Sequence, residues 1–551
     1  MTSVEDHQLD VIAVDLTPVL PGGENGGAKV FVLELMRRLA ELAPRTQFVL
    51  LTQAASHNEL ATLDRPNVRR VMVLGESPSP GLRASLAQVL VSAFRKLPGR
   101  LKPFASRVGY GLKSASRRSR SASILRNLNA DLLFCPFTAP TYAEATTPTV
   151  SVIYDLQYKT FPEFFAPEDV AHRDRTFVEA SKRSTMLSAI SDYSRKAAIE
   201  KGGLDPSKIK TIHLHISKHS LRSAEQDLTI LQRLNLKHRK YLIYPANFWK
   251  HKNHELLLTA FGMAGHRGLA QDVKLVCTGA PGERQAWLKR AAVGFGLEQS
   301  VIFPGYLKNS EMLALMTSSA GVIFPSLYEG FGLPVIEAMA TGVPVACSNV
   351  TSLPEVAGNA AILFDPRIPE QIADAMVALA HNGDLTARLI EAGETQAARF
   401  CNSTMMAREY WELFRQAAGA SVAANMLFGA YHDGWIGPRM TVQIAPSSES
   451  RRLELEVTLP AWVPSSKVVI GAYHKRNKTD ELTLLQGKTA VLSMPLSPAG
   501  GLYELELDPP FIPAQSGMGD DARELTAQVL RCSVVDARGH VETLFPENPS
   551  R

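Results

Sequence analysis

The sequence predicts an α/β protein built from two doubly wound units, followed by an all-β domain. Three patterns carry that expectation. The chain opens on a strand, a glycine loop, a helix and a strand. A second stretch, Tyr241 to Ala346, alternates short buried strands with helices. From about Met440 apolar residues recur with period two. The length of 551 residues exceeds one hydrophobic core and suits three domains at about 100–200 residues each.

The first unit starts with the strand Val11–Val14, then a loop with Pro18, Pro21, Gly22, Gly23, Gly26 and Gly27. Ala28–Leu42 has apolar residues at helical spacing, and Phe48–Leu51 is the next strand. Further strands are expected at Leu132–Phe134, Val150–Ile153 and Met186–Ile190, with a helix around Ser194–Lys201. The second unit runs through strands Tyr241–Tyr244, Lys274–Cys277, Val301–Phe303, Gly321–Phe324 and Val343–Ala346. Its helices are His254–Ala264, Ser310–Ser318 and Pro334–Ala340, and a helical pattern from Pro369 to about Phe400 closes it. A helix follows at Ser403–Ala418. The composition then changes near Ala420. Alternation at Leu453, Leu455, Val457, at Val468, Ile470 and at Tyr503, Leu505, Leu507 predicts an antiparallel β-sandwich. The expected domains are 1–222, 223–402 and 425–551, with the helix 403–420 completing the first.

Composition excludes several classes. Apolar residues at 45% and charged residues at 21% are ordinary for a soluble globular protein. No apolar run reaches the roughly 18 residues that span a membrane. The polar N-terminus MTSVEDHQLD does not read as a signal peptide. Five scattered cysteines without a CxxC pair read as reduced packing residues, which predicts a cytoplasmic setting. A net charge of +5 does not call for nucleic acid, and none is expected. The glycine loop is neither G-x-G-x-x-G nor a P-loop, so NAD and ATP hydrolysis are not favoured. His213, His215 and His219 alternate along a short strand and turn, a poor arrangement for zinc, and with no D-x-D motif in the chain no metal is expected.

The charge is uneven. Ser77 to Ala130 holds no acidic residue but has eleven basic ones from Arg83 to Arg126, interleaved with Leu86, Val89, Phe94, Leu101 and Phe104. Such a segment suits an anionic membrane surface, at about 1 kcal/mol per basic residue near the headgroups. A solvated helical insertion is the alternative.

The chemistry concentrates at Gly321–Pro344. A strand leads into a loop with Glu329, Gly330 and Gly332, and then into a helix with Pro334 in its first turn. The helix start aims amides at an anionic or hydroxyl-rich ligand, and the glycines permit close approach. Glu329 and Glu337 stand at the carboxyl end of the sheet, where carboxylates suit the vicinal diols of sugars and riboses.

Glu329-Gly330-Phe331-Gly332-Leu333-Pro334 with Glu337 resembles the E-x7-E motif of family-4, GT-B-fold retaining glycosyltransferases. So do, in the family's order, GGENGGAK, YDLQYKTFPEFF, SAISDYSRKAAIEKGGLDPSKI, YPANFWKHKNHELLLTAF, FPGYLKNSEMLALM and LPEVAGNAAILFDP. About 400 residues follow this order.

The resemblance implies two Rossmann-like domains facing a cleft, the first for the acceptor and the second for the donor. Glu337 would take the donor's ribose hydroxyls. Glu329 would take those of the transferred sugar, beside Gly330 and the amides of Phe331, Gly332 and Leu333. Lys252 would neutralise the diphosphate as the glycosidic bond breaks. The family carries an Arg where this chain has Asn247, with Lys250 as a partial substitute. Asp155 aligns with the acidic member of a His-Asp pair whose His is Tyr154 here, and it would orient sugar or acceptor or cap a helix. Gly26 and Gly27 would face donor phosphates or the acceptor.

The implied function is metal-independent hexosyl transfer in bacterial surface polysaccharide assembly, on the inner membrane face. No cofactor is expected beyond the nucleotide sugar co-substrate, GDP-mannose, dTDP-rhamnose or a UDP-sugar. The acceptor would be a saccharide or a lipid-linked saccharide. The alternative is a non-catalytic carbohydrate-binding scaffold on a degenerate GT-B fold, raised by Tyr154 and Asn247. A nucleotide-sugar epimerase of similar fold ranks behind both. In the all-β domain, Tyr431 and Trp435 either stack on a sugar or fill an edge or seam.

Overall fold

The computed structural model describes residues 9–22, 25–75, 124–144, 147–216, 226–420, 425–431, 433–474, 477–517, 521 and 523–545. Most of the basic stretch 83–126 lies outside them; of its basic residues Arg126 is described, on the short helix Ile124–Asn127.

The first sheet has seven parallel strands: β1 (Val11–Asp15), β2 (Gln47–Gln53), β3 (Val68–Leu74), β4 (Leu132–Cys135), β5 (Thr149–Ile153), β6 (Met186–Ala189) and β7 (Ile209–Thr211). Their order is β3-β2-β1-β4-β5-β6-β7, so winding reverses between β1 and β4. The second sheet has β8 (Tyr241–Pro245), β9 (Lys274–Thr278), β10 (Val301–Ile302), β11 (Gly321–Phe324), β12 (Val345–Ser348) and β13 (Ala361–Phe364). Its order, β10-β9-β8-β11-β12-β13, repeats the same winding. Strands β4, β5, β11 and β12 are buried throughout, as continuous apolar strands covered on both faces must be.

Several details differ from the pattern read along the chain, among them strands β3, β7 and β13, which it did not mark. The helical stretch after Pro369 is two helices, Pro369–His381 and Gly383–Ala398. Asn382 breaks it, its side chain accepting from the Leu385 amide at 3.0 Å to cap the second helix. The strand expected at Val343 starts at Val345. Helices Pro167–Arg183 and Glu283–Gly294 had no periodic signal that stood out, because half of the first is charged and the second is weakly amphipathic.

The helix Ser403–Gly419 leaves the second unit and packs on the first. Tyr410 and Phe414 meet Phe134 at ring distances of 5.6 and 5.0 Å, and the Tyr410 hydroxyl shares a 3.0 Å hydrogen bond with Ser188 Oγ. Arg38 Nε donates to Ser403 Oγ at 3.0 Å.

The all-β region holds β14 (Met426–Ala430), β15 (Trp435–Ile444), β16 (Arg451–Leu459), β17 (Lys467–His474), β18 (Asn477–Leu485), β19 (Lys488–Leu496), β20 (Gly501–Asp508), β21 (Ala527–Asp536) and β22 (Val541–Phe545). They form one antiparallel sheet in the order β18-β17-β20-β15-β21-β16-β19, with β14 on β15 and β22 on β21. The hairpin Gln486–Gly487 joins β18 to β19, the two ends of that order, so the sheet curls nearly into a barrel. Its two packed faces therefore belong to a single sheet around one core, with Leu453, Leu455, Val457, Ile470, Tyr503 and Leu505 inside.

The barrel meets the first unit through Arg126 Nη2 and Glu504 Oε1 at 3.9 Å, and through Arg183 over the Phe428 ring at 5.7 Å. Arg126 leads into β4 and Arg183 leads into β6. The barrel thus sits at the amino ends of the first sheet's strands, away from the cleft at their carboxyl ends. Among the described residues no helix is long and apolar enough to cross a membrane.

Candidate active site

The cleft is lined by loops at the carboxyl ends of both sheets. After β11 the chain runs through Pro325–Gly332 into the helix Leu333–Ala340, with Pro334 in its first turn. Gly332 makes the turn at φ 113°, and a Cβ there would lie 2.7 Å from Leu353 Cδ2. Ser352 Oγ donates to the carbonyls of Glu329 (3.0 Å) and Phe331 (2.8 Å), and the Glu329 amide donates to Thr351 Oγ1 at 3.1 Å. The loop is thereby held while the amides of Phe331, Gly332 and Leu333 donate to no described residue. They remain at a helix N-terminus as donors for a ligand.

Lys252 ends the single turn Lys250–Lys252 after β8. Asn253 follows in the left-handed region at φ 61°, and its Nδ2 donates to the carbonyls of Pro325 (3.1 Å) and Pro366 (2.8 Å). The Tyr244 hydroxyl donates to the Lys252 carbonyl at 2.8 Å. This scaffold sets Lys252 Nζ 2.6 Å from Glu329 Oε1, with both side chains only 13% and 12% exposed. The structure therefore brings these two site residues into direct contact.

Glu337 lies one turn into the helix. Its carboxylate accepts no hydrogen bond from a described residue, and burial raises its pKa above the ordinary carboxylate value. A partly buried acceptor without donors suits a hydroxyl-bearing ligand.

The first unit meets this loop at Gly330. Ser191 Oγ and Ser194 Oγ donate to the Gly330 carbonyl at 2.7 and 3.2 Å. A Cβ on Gly330 would stand 2.5 Å from the Tyr154 carbonyl oxygen and 3.4 Å from Asp155 Cβ. Asp155 Oδ1 accepts from the Gln157 amide at 2.9 Å, capping the turn after β5. Burial raises the Asp155 carboxyl pKa and the Glu329 charge adds to the rise, while the Gln157 amide, Arg173 and Lys252 oppose it. Asp155, Glu329 and Lys252 thus form one electrostatic group across the cleft. The Tyr154 hydroxyl is committed to the Pro136 carbonyl at 2.8 Å.

Gly26 and Gly27 begin the helix Gly26–Leu42, and a Cβ on Gly27 would lie 3.1 Å from Leu333 Cδ1. The glycine loop therefore faces the start of the helix carrying Glu337. The loop is held from below by the buried Lys29, whose Nζ donates to the carbonyls of Leu20 (3.0 Å) and Gly22 (2.8 Å) and to Glu59 Oε1 (2.6 Å). Sequence patterning did not single out Lys29, because a lysine inside a helix reads as solvated.

The remaining residues stand apart. Asn247 Oδ1 accepts from the Ala280 amide at 3.1 Å, tying the β8 loop to the β9 loop. Lys250 is exposed and makes no ion pair with a described residue. In the barrel Tyr431 and Trp435 are buried, so they fill its edge.

A second bridge between the units was missed. Glu355 on the helix Leu353–Ala357 accepts from the Asp192 and Tyr193 amides at 2.8 and 3.1 Å, and lies 2.6 Å from His213 Nε2. The Glu355 hydrogen bond raises the His213 pKa above its ordinary value. His215 Nδ1 accepts from the Asn402 amide at 3.0 Å, and burial pushes its pKa down to about 4.

Two Rossmann-like sheets wound alike, meeting through their carboxyl-end loops, with a crossover helix at the end, define the GT-B class of fold. Comparison with known proteins places the second unit more closely. Residues 228–396 match the model for glycosyl transferases group 1, so the chain carries a group 1 glycosyltransferase domain on that fold. The O-antigen chain mannosyltransferase B of Escherichia coli is 30% identical over 240 residues, 41% of this chain and 59% of that protein. The D-inositol 3-phosphate glycosyltransferase 1 of Catenulispora acidiphila is 25% identical over 401 residues, 68% of this chain and 87% of that protein. The chain spans about three-fifths of the first of these relatives. Among solved structures, Anabaena Alr3699/HepE in complex with UDP-glucose aligns at TM-score 0.54 and 17% identity, covering 74% of this chain and 99% of that one. WaaG, a glycosyltransferase of lipopolysaccharide biosynthesis, aligns at TM-score 0.51 and 14% identity, covering 73% and 99%. At these identities the two structures speak to the fold.

Proposed function

We propose that the chain transfers a hexosyl group from a nucleotide diphosphate sugar to a saccharide or lipid-linked saccharide acceptor during bacterial surface polysaccharide assembly. The observation that carries this reading is the Lys252–Glu329 pair, flanked by the undonated Glu337 carboxylate and the free amides of 331–333. One cation, two carboxylates and a helix N-terminus match the parts of such a donor: diphosphate, sugar hydroxyls and ribose diol. Lys252 takes the charge that grows on the leaving diphosphate. Glu329 is freed from Lys252 to hold the transferred sugar, and Glu337 accepts from the ribose hydroxyls.

Transfer proceeds with retention and without a metal, the leaving phosphate taking the acceptor's proton. Asp155 and the Gly26–Gly27 helix start line the acceptor side. The mannosyltransferase names among the relatives favour GDP-mannose over dTDP-rhamnose or a UDP-sugar. The basic stretch 83–126 supports a peripheral place on the inner membrane face.

The test is a thermal shift series against GDP, UDP and dTDP, followed by hydrolysis of the matching donor sugar. A nucleotide at 100 times its dissociation constant adds about 2.7 kcal/mol of stability. One nucleotide should shift the melting point and its sugar should be slowly hydrolysed. Absence of both removes the reading.

A further inference from the structure

The barrel meets the first unit on the side away from the cleft, so it does not complete the active site. Strand register shows what it presents elsewhere. Trp435 pairs with Gln528, Thr458 with Gln528, Leu459 with Lys488, Lys467 with Leu485 and Val469 with Asp508. The turns 433–434, 460–466 and 486–487 and the connecting residues 509–517 and 523–526 therefore gather at one end. The contacts with the first unit lie elsewhere, since Phe428 and Glu504 both register with Thr441, mid-strand.

Trp462 stands at that loop end, 52% exposed. Its ring does not hang free. Trp435 and Phe511, both buried, brace it at centroid distances of 5.4 and 6.2 Å, and they meet each other at 5.9 Å. Gln486 Nε2 donates to the carbonyls of Ala461 and Val463 at 3.0 and 2.6 Å, fixing the turn that carries the ring. In the turn before Trp435, Asp433 is held by the buried Arg523, with Nη1–Oδ1 at 3.1 Å and Nη2–Oδ2 at 2.8 Å. Asp521 takes the same guanidinium at 2.7 Å, and the guanidinium lies 4.7 Å over the Tyr431 ring. The same loop end thus presents a braced aromatic ring and partly exposed carboxylates held in orientation.

A pre-set aromatic plane with fixed acceptors on the same loop end matches a pyranose, which offers an apolar C–H face and equatorial hydroxyls. We propose that the loop end of the barrel is a second, non-catalytic saccharide site, with Trp462 as the stacking surface and Asp433 as a hydroxyl acceptor. It rests on the reading above that the substrate is a saccharide. It adds that the growing chain is held outside the cleft, which raises its local concentration there.

The test uses the full chain in affinity electrophoresis through gels containing mannan, dextran or a rhamnan, one polysaccharide for each donor class. Wild type should be retarded by one of the three, and the matching oligosaccharide should change its tryptophan fluorescence. Trp462→Ala should weaken retention about tenfold, while Trp462→Phe, which keeps a stacking ring, should stay within about threefold. Both variants should hydrolyse donor at the wild-type rate. Retention unchanged in Trp462→Ala overturns the site. So does a wild type that none of the three retards; if that protein still hydrolyses donor, the cleft reading survives and only the barrel proposal falls.

Discussion

Lys252 Nζ donates to Glu329 Oε1 at 2.6 Å, joining the loop after β8 to the loop after β11 at the floor of the cleft. Both groups are largely buried, so each is the other's main compensation for lost hydration. The pair stores a cation and a carboxylate where a nucleotide sugar would bring a diphosphate and hydroxyls.

Lys252→Ala should therefore act twice. It removes the cation, which should slow donor hydrolysis by about 100- to 1,000-fold. It also leaves Glu329 buried and unpaired, at a cost of about 3–5 kcal/mol. Lys252→Met with Glu329→Gln should recover most of the melting temperature but none of the rate. A double variant as unstable as Lys252→Ala would show that the unpaired Glu329 charge is not what destabilises the single variant.

Glu337 should matter for binding and little for stability, because it gives up no hydrogen bond within the described protein. Glu337→Ala should weaken nucleotide diphosphate affinity at least about tenfold, the worth of one or two hydrogen bonds to a charged group. Titration calorimetry measures it directly. Unchanged affinity would remove Glu337 from the donor site.

Gly330→Ala tests the contact between the units. The added Cβ would lie 2.5 Å from the Tyr154 carbonyl, which is backbone and cannot swing aside. Activity should fall sharply. Gly27→Ala, whose Cβ would meet only the tip of Leu333 at 3.1 Å, should be mild by comparison. Equal activities for the two would contradict the close approach.

The His213–Glu355 bridge predicts a pH dependence. Asp192 and Glu409 add to the pull of Glu355 on the His213 proton, against the cost of burial and beside His215. A raised imidazole pKa means that the folded chain holds the proton more tightly than the unfolded chain. The added stability is complete below about pH 6.5 and is lost as pH rises through the raised value. The melting-point gap between wild type and His213→Gln should thus be widest near about pH 6 and narrow by about pH 8. His215, pushed down to about 4 by burial and then by the His213 charge, works in the opposite sense below pH 6.5, so the narrowing is read between about pH 6.5 and 8, above its titration. A gap that is flat or widens with pH would refute the bridge.

The basic stretch gives a prediction from sequence. Replacing its Arg and Lys residues between 95 and 126 with Gln should abolish binding to anionic liposomes, since each contributes about 1 kcal/mol near the headgroups. Liposome flotation measures this. Wild type that stays in solution ends the membrane proposal.

Much of the architecture was legible because local rules and the global fold agree. Buried parallel strands read as short apolar runs such as VIAVD, LLFC and GVIF, and glycine loops mark where backbone must approach a ligand or another loop. Glu329, Glu337 and Lys252 could be picked out because their neighbours carry a loop-to-helix signature. Other features left no local trace. Glu355 looks like an ordinary first-turn acid, yet it caps the helix Asp192–Glu200 across the cleft. Trp462 looks like any turn aromatic, while Trp435, marked by its glycines, is buried.

The sequence by itself determined most of the order of strands and helices, the donor loop and the change to period-two patterning, because each depends on residues within a few positions of one another. Tertiary structure alone decided that Lys252 meets Glu329, that Gly330 lies under the Tyr154 carbonyl and that one antiparallel sheet curls until its ends share a hairpin. The Lys252–Glu329 pair spans 77 positions inside the second unit and the Gly330–Tyr154 contact crosses between units, and no local propensity encodes a contact whose partner lies so far along the chain.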